Sequence, residues 1–498
     1  MRQIITVTIF AGPISGYWML ARNFSLTAKK IPAIGARIIA IVASIINYPV
    51  LIALFDNEGY FNTLLEENIL FGVMAAVGLL MVFQTVWLIP LFIWRKDQIF
   101  PSTHASLRSV LGYASVGILL TVSLFFFGPF RFTFLMILAL PHLYVYNRIK
   151  MALRNSTQKR IMLALLIFLV LSFPVGQFIY RTWNNELTQF IVQLSYYYLP
   201  FILYFVLLIT LRDVVNLAGN ITVRFKPLKS RKIKFHKISL IVITMLSVII
   251  VAFGSWNFNT PRPTFYSLTI DKGSSSLDSL RVAMASDFHL AEITNKHLVS
   301  RFVERIDALK PDIVLLPGDI MESGTFSQPM QQFTGELKQL SADLGIYAST
   351  GNHEYYGMYN EKIKLIEQSN INLIVDSTIV FDDKFILVGR NDEHDRNRKS
   401  LNELIPDSLD LPVIVMDHRP GNFENLSKTS AGLILSGHTH HGQLFPFHWI
   451  TNNIYELSWG HRQVGKTHFI VSAGIQGWGP QVRTSAYSEI VVVDLKLE

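Results

Sequence analysis

The sequence predicts two unlike parts: an α-helical polytopic membrane region of about eight spans over 1–260, then an α/β domain over 280–498, joined by a linker at 261–279. Three observations predict this. The 498 residues are 50% hydrophobic and only 16% charged, whereas ordinary soluble domains are near a quarter charged. Apolar runs long enough to cross a bilayer recur up to Phe258 and not beyond it. Charge divides at the same place: residues 1–261 carry 23 Lys/Arg and 7 Asp/Glu, and the remainder carries 21 and 29. The net charge of +8 therefore gives no case for a nucleic-acid partner, because the basic excess lies in loops between apolar runs. With no cysteine in the chain, disulfides, thiolate metal sites and a cysteine nucleophile are excluded.

Spans are expected near Ile4–Leu20, Ile31–Phe55, Ile69–Trp94, Ser109–Phe127, Phe132–Tyr146, Ile161–Tyr180, Phe190–Leu211 and Ile238–Phe258. Arg22, Lys29 and Lys30 follow the first run where a signal-peptide cleavage site would stand, so that run is expected to remain a helix. Lys and Arg are retained on the cytoplasmic side. They cluster after spans one, three, five and seven, most densely from Arg212 to Lys237. This alternation places the N-terminus and everything after Phe258 outside the cytoplasm, which describes a multi-pass cell-membrane protein with an extracytoplasmic polar domain. Arg37 inside the second run is read as a snorkelling side chain. No intramembrane carboxylate series marks an ion pathway, so the helices are read as an anchor in the bilayer.

In the polar part, the Pro-containing segment Asn259–Pro263 reads as a stiff linker and Asp271–Ser279 as a turn-rich lead-in. Short apolar runs then alternate with helical patterns. Strands are expected at Leu280–Ala285, Ile313–Leu316, Gly345–Ser349, Phe385–Val388, Val413–Met416, Gly432–Leu435, His468–Ser472 and Glu489–Leu495. Helices are expected at Asn295–Leu309, Gln328–Leu340 and Tyr359–Gln368.

Five strands end in polar groups of one chemical type: Ser286-Asp287-Phe288-His289, Gly318-Asp319, Gly351-Asn352-His353-Glu354, Asp417-His418-Arg419 and Gly437-His438-Thr439-His440-His441-Gly442. Ligands of α/β sheets bind outside the carboxyl ends of strands, so these groups should converge. Asp and His without Cys suit Mn, Fe or Zn at catalytic positions. Strand alternation would send Asp287 and His289 the same way, and a carboxylate such as Asp319 could bridge two cations that clamp a phosphoryl group. The glycines before Asp319, Asn352 and His438 are expected to permit tight turns.

In this order the motifs resemble the calcineurin-like metallophosphoesterases, from about Leu280 to the C-terminus. The tail from Ser472 to Pro480, with Arg483 and Glu489, is similar to the multi-span, membrane-anchored bacterial branch of that superfamily. The resemblance implies a four-layer α/β/β/α sandwich holding two divalent ions, with Mn expected before Fe or Zn. It implies Asp287, His289, Asp319 and His440 around one ion, and Asp319, Asn352, His418 and His438 around the other. His353 would act as the catalytic imidazole beside them. His441, where the branch usually has Gly, and Asp392, after a strand near the cleft, are candidate substrate contacts. Glu322 stands where purple acid phosphatases carry Tyr, which argues against that type.

The expected function is membrane-bound, metal-dependent hydrolysis of a phosphodiester or pyrophosphate in a phosphorylated small molecule or lipid at the outer surface. The competing expectation is a polytopic transporter or receptor whose outer domain only binds a phosphorylated ligand.

Overall fold

The computed structural model describes residues 141–498 apart from 154, 184, 223–228, 292–293, 323–327 and 407. The first four expected spans, and most of the fifth, lie outside the described residues. From Val145 to Glu498 the chain is one compact unit.

Three long helices open this unit: α1 (Ser156–Thr182), α2 (Glu186–Thr222) and α3 (Lys229–Phe258). They contain the stretches Ser156–Tyr180, Glu186–Val215 and His236–Phe258, each long and apolar enough to cross a membrane. Asn155 caps α1 by accepting from the Gln158 amide at 2.7 Å. The helices are apolar around their circumference, so large side chains such as Phe178 and Ile249 remain exposed although α1 packs on α2 and α2 on α3. α2 and α3 run antiparallel: Tyr197 meets Ser255 at one end (3.3 Å) and Arg212 meets Ser239 at the other (3.2 Å).

The remainder builds two six-stranded sheets. Twelve strands take part: β1 (Arg262–Ile270), β2 (Ser279–Met284), β3 (Ile313–Pro317), β4 (Ile346–Ser349), β5 (Asn372–Leu373), β6 (Ser377–Phe381), β7 (Phe385–Gly389), β8 (Val413–Met416), β9 (Ala431–Ser436), β10 (Gly460–Val464), β11 (Thr467–Val471) and β12 (Glu489–Leu497). The first sheet has the order β1-β12-β2-β3-β4-β5 and the second β10-β11-β9-β8-β7-β6. The inner strands β2, β3 and β4 run parallel, as do β7, β8, β9 and β11. Strands covered on both faces read as continuous apolar runs, and β3, β7 and β11 are buried at every residue.

The layers follow from which face each side chain takes. Met284, Leu315, Leu387, Met416, Leu435 and Val493 fill the space between the sheets. Ala283, Val314, Leu316 and Ile490 turn the other way, onto Phe302, Ile306, Phe333 and Leu337 of the helices Lys296–Leu309 and Gln328–Leu337. Ile386, Val415, Ile434 and Phe469 pack on Leu401, Leu404 and Phe423 of the helical turns Leu401–Leu404 and Phe423–Leu426. The order is helix, sheet, sheet, helix.

One expectation needs correction. The segment read as linker contains β1, which pairs with β12 along nine residues, from Arg262↔Glu489 to Ile270↔Leu497. As an edge strand it needs apolar groups on part of one face only, and Pro263 is tolerated there. Its polar, proline-flanked composition therefore resembled a linker. Edge strands β5, β6 and β10 escaped the sequence reading for the same reason.

Candidate metal centre

The loops that follow β2, β3, β4, β8 and β9 meet at one end of the paired sheets, and their backbones do not stay extended there. Asp287, His289, Asp319, His438 and His440 all have φ between 44° and 71°, a region that costs a non-glycine residue about 1–3 kcal/mol unless its surroundings impose it. Strand alternation is therefore not what aligns Asp287 with His289: β2 ends at Met284, and both residues lie in left-handed turns. The surroundings that impose these turns are visible. Amide hydrogens of Asp287 and His289 bond to the carbonyls of Gly318 (3.2 Å) and Asp319 (3.0 Å), and that of Gln476 bonds to the Asp287 carbonyl (3.1 Å).

The glycines serve close approach more than turn geometry. Gly318 has φ +79°, and a Cβ there would stand 2.7 Å from the Gly351 nitrogen and from His418 Nδ1. Gly437 keeps an ordinary backbone, but its Cβ would meet an Asp287 carboxylate oxygen at 2.3 Å.

Among the described residues three groups of donor atoms result. Asp287, His289 and His440 form the first, and Asp319, His418 and His438 the second, with the atoms of each group within 4.8 Å of one another. The third, His289 with Glu322 and His353, shares His289 with the first. In the first, His289 Nε2 lies 3.2 Å from His440 Nε2 and 3.9 Å from Asp287 Oδ1. In the second, His418 Nε2 lies 3.1 Å from Asp319 Oδ2. That same oxygen is 3.7 Å from His289 Nε2, so Asp319 stands between the first two groups. Asn352 Oδ1 is buried with no hydrogen-bond partner, although a buried amide oxygen without a donor is costly.

Neighbouring groups orient the imidazoles. The Pro317 carbonyl accepts from His418 Nδ1 at 2.8 Å, which assigns the proton to Nδ1 and turns the Nε2 lone pair inward. Glu322 holds His289 Nδ1 with one oxygen (3.1 Å) and His353 Nδ1 with the other (2.8 Å). His353 also donates its backbone N–H to Asp319 Oδ1 at 2.8 Å, and its ring stands edge-on to His289 with centroids 4.4 Å apart. Glu354, fully buried, accepts from the amides of Asp319, Ile320, Met321 and Gly351 at 2.7–3.0 Å. It thus fixes the β3 loop that carries Asp319 and caps the short helix Asn352–Tyr355.

Electrostatics point the same way. Burial opposes protonation of His418, yet the carboxylate of Asp319, helped by Asp287 and Asp392, carries its pKa up to about 10. Burial and the neighbouring His418 push His438 down to about 3. Burial opposes ionisation of Glu322, but its two imidazole partners hold it well below the usual carboxylate range. Gathered carboxylates call for a compensating cation. The donor set, nitrogen and oxygen without sulfur, suits borderline and hard divalent ions. The residues fit such ions.

The two expected substrate contacts are placed differently. Asp392 is buried, and both its oxygens bind the Arg419 guanidinium (2.9 and 3.1 Å), so what it presents to the site is Arg419, a quarter exposed at its side chain. His441 is half-buried. Its Nδ1 lies 2.8 Å from Ser458 Oγ, and its ring lies near Trp459 and His448. Arg419 and Glu322 were missed as functional residues; the adjacency of Arg419 to His418 was the available signal. Arg483 is fully buried, donating to the carbonyls of Ala473 and Gln476, and burial lowers its pKa to about 10. It stiffens the tail loop on which Asp287 rests.

Nitrogen and carboxylate donors gathered at strand ends between two packed sheets define a candidate centre for divalent metal. Residues 280–442 match the calcineurin-like phosphoesterase family. An uncharacterized metallophosphoesterase of Campylobacter jejuni is 27% identical over 389 residues, 74% of this chain and 98% of that protein. A transmembrane protein with metallophosphoesterase domain from Bos taurus is 27% identical, over 54% of this chain and 64% of its own length. Among solved structures, a 5'-nucleotidase precursor from Thermus thermophilus shares 13% identity with a TM-score of 0.28, over 44% of this chain and 54% of its own.

Proposed function

We propose that the protein is a membrane-bound phosphoesterase whose two metal positions share Asp319 and whose substrate is a phosphodiester or pyrophosphate. The observation that carries this reading is the position of Asp319 Oδ2, 3.7 Å from His289 Nε2 and 3.1 Å from His418 Nε2, between two separate donor groups. Asp287, His289, Asp319 and His440 would hold one ion, and Asp319, Asn352, His418 and His438 the other. Divalent ions so held supply Lewis-acid neutralisation of phosphoryl oxygens and lower the pKa of water.

The chain's own residues supply the rest. Glu322 fixes the Nδ1 side of His353, which leaves Nε2 to carry a proton toward a leaving oxygen. Arg419, clamped by Asp392, offers a preorganised guanidinium to a phosphoryl oxygen beside His418 and His438. α1–α3, together with the spans expected before them, would make the protein multi-pass with the domain outside the cytoplasm.

The test uses the full chain in nanodiscs, stripped of metal and reloaded with Mn, Fe or Zn, against phosphomonoester, phosphodiester and lipid pyrophosphate substrates. Metal-dependent conversion of a diester to a monoester and an alcohol, or of a pyrophosphate to two phosphate products, is the expected result. Tight binding of these compounds with no turnover under any metal would instead favour a receptor.

A further inference from the structure

We propose that residues 444–454, together with Trp478, form a wedge that seats on the lipid surface of the bilayer crossed by α2 and α3. The inference rests on the reading that these helices span a membrane.

The wedge is apolar where a domain surface in water would not be. Phe445, Phe447, Trp449, Ile454 and Trp478 are all exposed, Trp449 to 60%. Phe445 packs on Trp449 and His448 with ring centroids 5.4 and 5.5 Å apart, so these three rings form one patch. A contiguous exposed aromatic patch marks an interaction surface.

Its occupant follows from what adjoins it. Leu444, at the root of the wedge, is buried with Tyr204 of α2, Val251 of α3 and Val482. Phe445 donates its amide to Thr484 Oγ1 at 2.9 Å, and the same hydroxyl bonds to Tyr204. The Arg483 amide donates to the Gly254 carbonyl at 2.9 Å, and Asn257 Nδ2 to the carbonyls of Arg483 and Ala486. A Cβ on Gly254 would stand 2.6 Å from Val482, so the loop lies directly against α3.

Length then sets the depth. The apolar stretch His236–Phe258 has 23 residues, about 35 Å of helix at 1.5 Å per residue, little more than the ~30 Å hydrocarbon layer. Loops packed on Val251–Asn257 therefore lie at the membrane–water boundary, where Trp and other aromatics accumulate. Trp256, exposed on the same turns of α3, carries the Arg262 guanidinium 4.8 Å above its ring. The wedge also continues the chain directly from His440, and the His448 ring lies 5.4 Å from that of His441. Seating on lipid would place the loop of a candidate metal ligand at the bilayer surface.

The absence of cysteine makes the test clean. Trp449→Cys and, separately, Phe447→Cys would carry an environment-sensitive fluorophore in the full chain. That chain would be reconstituted in phosphatidylcholine–phosphatidylglycerol vesicles with a nitroxide near the headgroup. Ile241→Cys, exposed on α3, and Lys428→Cys, exposed on the domain, are the references. The expected result is strong quenching by lipid nitroxide and little by aqueous iodide at 447 and 449, with the reverse at 428. If 241 is quenched by lipid while 447 and 449 are quenched only by iodide, the wedge is overturned and the membrane reading stands. Protection of 447 and 449 from both quenchers would mean a protein surface covers them, which also overturns it. Failure of lipid to quench 241 would overturn the membrane reading and the wedge together.

Discussion

Ile249 in α3 is 61% exposed and Ile434 in β9 is 2% exposed, although each lies in a regular element among apolar neighbours. The contrast runs through both regions. In the two-sheet domain apolar side chains turn inward, and the buried polar groups Asp287, Asp319 and Glu354 are held by loops far away in sequence. In α1–α3 many apolar groups turn outward, and buried serine hydroxyls are satisfied within their own helix: Ser195 Oγ donates to the Val192 carbonyl and Ser247 Oγ to that of Ile243. The two regions follow different rules, as the proposed placement of α1–α3 in a bilayer would require. In water, burial drives packing and polar networks can specify a site. In hydrocarbon, apolar exposure costs nothing, and each backbone must satisfy itself. The wedge at 444–454 is where the outward rule extends into the domain.

The strongest way to break this comparison is at the network centre. Asp319→Asn is expected to weaken both metal positions at once and abolish turnover, read as metal per chain beside phosphoester rate. Two tightly held ions with near-normal rate would end its shared role. His353→Asn should leave metal content intact while slowing turnover by about 10²–10⁴-fold, the range for a lost acid–base group; loss of metal would make it a ligand instead. His418→Ala is expected to lower occupancy at one position and spare the other, which elemental analysis resolves.

Smaller effects sharpen the solvent argument. Ile434→Ala removes buried methyl groups and should cost about 2–5 kcal/mol, measured by denaturation of the domain's signal in the full chain. Ile249→Ala, facing outward, should stay within about 0.5 kcal/mol in the same measurement. Equal losses at the two positions would refute the assignment of two solvents.

Some of this protein was determined locally. Strands such as Ile313–Pro317 and Val413–Met416 are apolar at consecutive positions because both faces are covered, so their extents are readable from the chain alone. The candidate ligands were readable too, because Asp, His and Asn after successive apolar runs have few other reasons to recur. The apolar length of α1–α3 was equally plain. Other features depend on distance in space between residues remote in sequence, and no local pattern encodes that. β1 resembles a linker until β12 pairs with it. Glu322 is one carboxylate among many until His289 and His353 close on it. Asp392 looked like a substrate contact until Arg419, 27 residues away, took both its oxygens. The left-handed turns at Asp287, His289 and Asp319 exist only because packed neighbours supply the hydrogen bonds that offset their backbone cost. Those choices belong to the assembled sheets, since each requires a partner that the chain brings near only on folding.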